Sequence, residues 1–312
     1  MIKVAIAGIY FPVTAALEYF VRAFKRRTDC EVKTIGPYNG LHIPWSKNGT
    51  IGMIMPDRYD FAPDIILPYT GFMKNTPIGY VEGLLEDFKP DLWLDVNAGF
   101  YLDGRPKSGV KTAFLTDPHV LRNWYNSIKK IYDVIFCPQT PYASTGEIYL
   151  PYAADVEWHS RIPNLDQLYD ISLIGNTYPN RVELMNQLRN AGHKTYFELG
   201  VAKEDARKVY SQSYIGVNWS SLQDLTARVF EISLLGVVPV VNQVPDLNGL
   251  FQENVHYLSF SDISSARTQI NNVLNDRALG QTIANNAVKN IIENKHTWDD
   301  RVSTILETAH LL

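Results

Sequence analysis

Cysteine is almost missing from this chain. Its 312 residues hold two, Cys30 and Cys137, which is too few and too widely spaced for a zinc site or a C-x-x-C redox pair. The scarcity reads as a reducing compartment, here the cytoplasm. Long hydrophobic runs are missing too. The longest, 232–241, is broken by Ser233, Gly236 and Pro239, so no membrane span is expected. Met1 to Gly8 carry one lysine and a short apolar run, and the Ile9-Tyr10-Phe11-Pro12 that follows is no small-residue cleavage site, so a signal peptide is not expected. Charge of one sign is not in excess. With 29 Lys+Arg against 33 Asp+Glu the net charge is −4, which gives no global attraction to nucleic acid or an anionic membrane. The first strand–helix turn, Gly8 to Pro12, lacks the G-x-G-x-x-G of a dinucleotide fold, and no P-loop occurs anywhere. His42, His159, His193 and His256 show no metal spacing and read as structural or exposed.

What the sequence does contain is a steady alternation of apolar strand and helix patterns. The length suits two domains of about 150 residues, and 46 % hydrophobic with 20 % charged residues suits two ordinary cores. In the first half, strands are predicted over 2–7, 30–35, 64–67, 91–96, 110–116, 133–137 and 147–150. Helices are predicted over 13–27, 77–88 and 120–130. A Pro/Gly-rich excursion occupies 36–60. A stretch of weak period, 151–167, reads as the interdomain linker. The second half repeats the rhythm, with strands over 170–174, 194–198, 214–218, 237–241 and 255–259. Helices are predicted over 180–191, 203–211 and 226–235, and the rest is helical. Such alternation is the mark of parallel α/β sheets. The expected fold is therefore α/β, two Rossmann-like domains facing across a cleft, where sheets of this kind bind ligands.

Residues suited to an anionic ligand gather in the second half. The strand ending at Ile174 runs into Gly175, Asn176 and then Arg181 in the first turn of a helix. Glycine lets a ligand approach the backbone, and helix-terminal amides suit a phosphate. Arg181 opposes the helix dipole unless an anion or a surface carboxylate lies nearby, and both readings stand open. A polar loop after 214–218 holds Asn218, Ser220 and Gln223. It leads to Thr226 and a helix on which Arg228 and Glu231 share one face. Thr226, the first-turn amides and Arg228 can hold a diphosphate, and Glu231 can accept hydrogen bonds from ribose hydroxyls. An exposed Arg228–Glu231 ion pair is the plain alternative. Tyr10, Phe11, Phe100, Tyr101, Trp124 and Tyr125 are either stacking surfaces for a ligand or packing at the sheet rim. Of these Tyr10, Phe100 and Tyr101 are taken as candidate acceptor contacts.

The run Arg228-Val229-Phe230-Glu231 through Gly236-Val237-Val238-Pro239-Val240-Val241 resembles the donor-site segment of glycosyltransferases with the GT-B fold. So do Asp246-Leu247-Asn248-Gly249-Leu250-Phe251 and the stretch from His296 to Val302. Over residues 110–305 the sequence is similar to the spore-maturation-protein (CgeB-like) glycosyltransferases. Leu150 to Asp155 looks like that family's interdomain segment, and Gly175, Tyr178 and Arg181 like its first C-terminal strand and helix. The resemblance implies an acceptor-side domain over 1–152, with a C-terminal helix near 297–312 crossing back to it, and a nucleotide-sugar domain over 153–296. It implies a nucleotide-sugar co-substrate, a UDP-sugar, with no cofactor. Glu231 would lie on ribose or sugar hydroxyls, and Gly175, Asn176, Arg181 and Arg228 near the phosphates. One position departs. Many retaining members of this fold carry two glutamates eight positions apart, but here Gln223 stands at the first and only Glu231 matches. Stereochemistry therefore does not carry over.

No D-x-D motif occurs, which fits a metal-independent enzyme whose leaving group is stabilised by arginine and helix amides. An inverting enzyme also needs a base at the acceptor hydroxyl. Asp117 and His119, after the strand 110–116, are the candidates, Asp117 being equally suited to cap the next helix. Asp95 and Asp60 are lesser ones. The acceptor is open among a glycan, a protein, a small molecule and a hydroxymethylated base in DNA. For DNA, the cluster Arg22, Lys25, Arg26 and Arg27 would be the contact, although it equally suits a helix C-terminus. A nucleotide-sugar epimerase and a non-catalytic nucleotide-sugar-binding protein are the competing classes.

Overall fold

The computed structural model describes residues 1–8, 10, 15–37, 62–67, 76–96, 102–199, 201, 203–220 and 222–312. They divide into two compact units. Unit 1 is Met1–Pro151 with Trp298–Leu312, and unit 2 is Tyr152–Thr297.

Unit 1 contains β1 (Ile2–Ala7), α1 (Ala15–Arg26), β2 (Cys30–Pro37), β3 (Ile65–Leu67), β4 (Thr76–Pro77), α2 (Ile78–Leu84), β5 (Leu92–Val96), β6 (Leu102–Asp103), β7 (Val110–Phe114), α3 (Pro118–Ile128), β8 (Val134–Cys137) and β9 (Ile148–Tyr149). Seven strands form one parallel sheet in the order β3-β2-β1-β5-β7-β8-β9. The near-continuous apolar run of β5, LWLDV, is what a strand covered on both faces requires. The amphipathic α1 buries Leu17, Phe20, Val21 and Phe24 at helical spacing and carries Glu18 in its first turn and Lys25 and Arg26 in its last, in keeping with its dipole.

Unit 2 contains β10 (Tyr169–Ile174), α4 (Pro179–Asn190), β11 (Thr195–Glu198), α5 (Lys203–Ser211), β12 (Ser213–Asn218), α6 (Ala227–Leu234), β13 (Val238–Asn242), α7 (Leu247–Leu250), β14 (Leu258–Phe260), α8 (Ile263–Asn275) and α9 (Arg277–Glu293). Its parallel sheet runs β11-β10-β12-β13-β14. The order places the switch point between β10 and β12, where the chain leaves first to one side and then to the other. The strand predicted over 255–259 begins later, at Leu258, because 252–256 close a turn in which the His256 amide donates to the Gln252 carbonyl (2.9 Å).

The last helix, α10 (Trp298–Thr308), belongs to unit 1. Trp298 is fully buried, with ring centroids 4.7 Å from Phe20, 5.7 Å from Tyr19 and 6.2 Å from Phe114. Arg26 on α1 grips Asp299 through two bonds of 2.8 and 2.7 Å. Among the described residues no helix is long and apolar enough to cross a membrane.

Two polar groups of unit 1 are more deeply placed than their sequence context suggests. Asp95 is buried and accepts from the Tyr132 hydroxyl (2.6 Å), so this lesser candidate base is tied into the core. Lys111, on the inner strand β7, is buried as well. Its ammonium donates to the Gly104 carbonyl (2.7 Å) and lies 4.7 Å from the centre of the Tyr132 ring. Burial depresses its pKa, with Asp95 and Asp103 acting in the opposite sense.

Candidate functional site

The C-terminal ends of β10 and β12 bring together most of the residues singled out in unit 2. Gly175 follows β10 with φ +156°, a backbone conformation that a side chain strains. A Cβ there would meet Arg181 Nη1 at 2.9 Å, so the missing side chain lets the guanidinium lie against the backbone. Arg181, in the first turn of α4, reaches across the switch point. Its Nε donates to the Trp219 carbonyl at 2.8 Å, Nη2 reaches the same oxygen, and Nη1 donates to the Asn176 carbonyl at 3.1 Å. The guanidinium also lies 5.0 Å from the centre of the Tyr178 ring. Main-chain carbonyls, not a surface carboxylate, are its hydrogen-bond partners among the described residues.

A half-buried cation with no ion-pair partner is costly. Burial lowers the pKa of Arg181, and the positive charge of Arg228 pushes the same way, against Tyr178, Tyr210 and Asp224. An anion placed between the two arginines would relieve both effects. The amides of α4 contribute less than expected. Pro179 occupies the first helical position and has no N–H, while the Arg181 amide is taken by Asn180 Oδ1 (3.0 Å). The positive character at this helix end therefore resides chiefly in the Arg181 side chain.

The loop after β12 is held from beneath. The Ser220 amide donates to Asn242 Oδ1 (2.7 Å) and Asn242 Nδ2 returns a bond to the Ser220 carbonyl (3.1 Å). Ser220 Oγ bonds the Asp224 carboxylate and accepts from the Asp224 amide (3.1 Å). Gln223 is exposed at φ +56°, a left-handed turn that such a residue rarely adopts. Thr226 stands at the N-cap of α6 without capping it. Its hydroxyl donates to Asn218 Oδ1 instead (3.1 Å). Asn218 Nδ2 is buried with no acceptor among the described residues, an unmet donor of the kind that calls for an explanation.

One turn into α6, Glu231 is buried. Arg228 Nε lies 3.2 Å from Glu231 Oε2, and His159 Nε2 lies 3.8 Å from Oε1. The Arg228–Glu231 pair is thus no exposed surface bridge. Of the two readings of His159, structural or exposed, the exposed one falls. It is buried, and its ring faces Glu231. Sequence spacing carries no signal of a contact between the linker and α6.

In unit 1, Asp117 and His119 follow β7. Asp117 occupies the N-cap of α3 at φ +46°, but its carboxylate does not cap the helix. The Asp117 carbonyl accepts from the Val120 and Leu121 amides (2.9 and 3.1 Å). His119 is half-buried, with Nδ1 3.4 Å from Gln139 Oε1 and its ring against Tyr142. Tyr10 is not placed as a stacking surface. It is 1 % exposed, its hydroxyl donates to the Ile6 carbonyl (3.3 Å), and its ring fills the space over Gly36, where a Cβ would come within 2.4 Å of a ring carbon. Phe100, Tyr101, Phe11, Asp60 and His42 lie outside the described residues. In the basic cluster of α1, Arg26 is paired with Asp299 and Arg27 with Asp29. Among the described residues no group of three or more His, Cys, Asp or Glu is arranged to hold a metal ion.

Two parallel α/β units, the second with Arg181 reaching across its switch point, make up the described chain. Solved structures match essentially the whole chain. It is similar to sucrose-phosphate synthase of Thermosynechococcus elongatus (12 % identity, TM-score 0.64, covering 99 % of this chain and 98 % of that one). It is similar to HepE of Anabaena in complex with UDP-glucose (11 % identity, TM-score 0.63, 100 % of each chain). A third likeness is to an alpha-glucosyltransferase in complex with UDP and a 13-mer DNA containing a central A:G mismatch (11 % identity, TM-score 0.65, 99 % and 100 %). The fold is that of the GT-B glycosyltransferases. Residues 157–307 match the family described as glycosyl transferase-like. No curated protein matches the sequence.

Proposed function

We propose that the chain transfers a sugar from a nucleotide-sugar donor to an acceptor hydroxyl and binds that donor in unit 2. The observation that carries the reading is Arg181, a half-buried guanidinium hydrogen-bonded, among the described residues, to main-chain carbonyls alone, with a second arginine acting on it electrostatically. Two similar structures hold UDP or UDP-glucose, and a UDP-sugar is the donor assigned here. The narrower likeness to spore-maturation-protein glycosyltransferases is part of the same proposal.

In this scheme Arg181 and Arg228 face the diphosphate, with Gly175 and Asn176 allowing close approach. Glu231 accepts hydrogen bonds from ribose or sugar hydroxyls. Asn218, Ser220, Gln223 and Thr226 shape the loop around them. The bond from the anomeric carbon to the phosphate oxygen breaks, and the departing diphosphate carries the electron pair. The two guanidiniums stabilise that charge without a metal. The acceptor oxygen forms the new bond, and its proton goes to Asp117 or His119. The acceptor class is left at a hydroxyl. Arg26 and Arg27, at the end of α1, are already paired to carboxylates, which reduces what that cluster offers to a DNA backbone.

The test is thermal stability with UDP and UDP-glucose, with and without Mg²⁺. A ligand bound only by the folded state at about 100 times its Kd adds about 2.7 kcal/mol. A clear shift unchanged by Mg²⁺ is expected, and no shift with either compound would remove the basis for the donor site. Once turnover is established, replacing the true base should lower kcat by about 10²–10⁴-fold with UDP affinity unchanged. Asp117→Asn and His119→Ala are the two variants to compare. If both turn over normally, the base lies elsewhere.

A further inference from the structure

His159 belongs to no part of the scheme above, yet it is a buried titratable side chain held by the backbone of its own turn. It lies on the strap that follows the first residues of that unit. At the near end of the strap the Ala154 amide donates to the His296 carbonyl (3.0 Å). At the far end Arg207 Nε donates to the Ser160 carbonyl (2.6 Å), and Arg161 reaches the carbonyls of Gly236 (2.9 Å) and Ser211 (3.2 Å). Between these anchors Asp155 closes a single turn. Its Oδ1 accepts from the amides of Glu157 (3.1 Å) and Trp158 (2.9 Å), and its carbonyl accepts from the His159 amide (2.9 Å).

The turn dictates the tautomer of the imidazole. The Asp155 amide donates to His159 Nδ1 at 2.8 Å, so Nδ1 is an acceptor and carries no proton. A neutral ring must then hold its hydrogen on Nε2, the nitrogen 3.8 Å from Glu231 Oε1. That separation is too long for a direct hydrogen bond. A closing movement of under about 1 Å when the site fills would bring it into hydrogen-bond range. Glu231 thus has Arg228 Nε 3.2 Å from one oxygen and His159 Nε2 3.8 Å from the other.

We infer that His159 is a positioning residue. Through its Nε2–H it fixes the orientation of the Glu231 carboxylate, and so decides which oxygen is presented to the hydroxyls of a bound nucleotide. The inference rests on the donor-site reading given above. It also predicts a pH signature. Burial lowers the pKa of His159, Glu231 and Asp155 oppose that, and Arg228 and Arg207 reinforce it. Protonation would set a second N–H against the Asp155 amide and loosen the turn, so the orienting contact holds at neutral pH and is lost in acid.

The probe is UDP, with three proteins compared by calorimetry from pH 8 to about pH 5. His159→Phe keeps the ring volume without a donor, while His159→Gln keeps an N–H near the Nε2 position. His159→Phe should weaken UDP about tenfold, and His159→Gln should stay within about threefold of the wild type. The titration of the phosphate is common to all three. The ratio of wild-type to His159→Gln affinity should therefore be flat through the ordinary imidazole range and fall only at more acid pH. A long-range ¹H–¹⁵N spectrum of the imidazoles should show His159 as the Nε2–H tautomer at pH 7, with a resonance that moves in Glu231→Gln. UDP binding by His159→Phe equal to wild type, or an Nδ1–H tautomer, would overturn this inference alone. Failure of the wild type to bind UDP would overturn the donor-site reading and this inference with it.

Discussion

Arg181→Ala should lose UDP by about a hundredfold or more, the scale on which truncating one side of a buried, hydrogen-bonded charge pair acts. The present partners of Arg181 are the carbonyls of Trp219 and Asn176, which water can solvate once the side chain is gone. The loss should therefore show in binding far more than in folding, and a Tm within a few degrees of wild type is the control. Arg181→Lys restores the charge without the planar fork that grips two oxygens at once, and should recover only part of the affinity. Glu231→Ala should also remove donor binding, but its direct partner is Arg228, so that variant additionally leaves a cation uncompensated. Equal UDP affinity in Arg181→Ala and the wild type, measured by calorimetry, would mean that no anion sits between β10 and β12.

Trp298→Ala should destabilise unit 1 by about 3–5 kcal/mol, the range for removing a large buried aromatic. The indole is fully buried against Tyr19, Phe20 and Phe114, where edge-to-face and stacked contacts add to the area term. Trp298→Phe should keep much of the packing and lose less. In urea, Trp298→Ala should bring forward the transition of unit 1, while the stabilisation that UDP gives to unit 2 persists. A midpoint unchanged between Trp298→Ala and wild type would show that α10 is not a structural part of unit 1.

Much of this architecture is legible in the sequence because parallel strands must be apolar throughout. The strands at 2–7 and 214–218 stand out as mainly apolar runs, and the helix from Ala227 is bracketed by Thr226 and Gly236. The donor-site candidates are legible for a related reason. Gly175, Arg181, Arg228 and Glu231 all follow strand ends, and in such sheets those ends converge. What sequence reading misses depends on backbone dihedrals and long-range contact. Nothing local announces that Asp117 will take a left-handed conformation or that the Thr226 hydroxyl will turn to Asn218. Lys111 breaks the usual pattern of an exposed lysine because Gly104 and Tyr132 meet its ammonium inside the core. Tyr10 looks like a ligand platform because the close approach of Gly36 beneath its ring is invisible in sequence. The approach of His159 to Glu231 escapes notice because the linker has no period from which a contact with α6 could be read.

The assignment of α10 to unit 1 also reverses the usual order of maturation. Domains commonly fold from the N-terminus as the ribosome delivers them. Here the first unit to emerge still lacks the indole that seals Phe20 and Phe114, and must wait while all of unit 2 is synthesised. Unit 2 is contiguous and can close its own sheet first. Until Trp298 arrives, the nascent chain carries an open apolar notch along α1, and chaperones that guard new chains would be expected to dwell there.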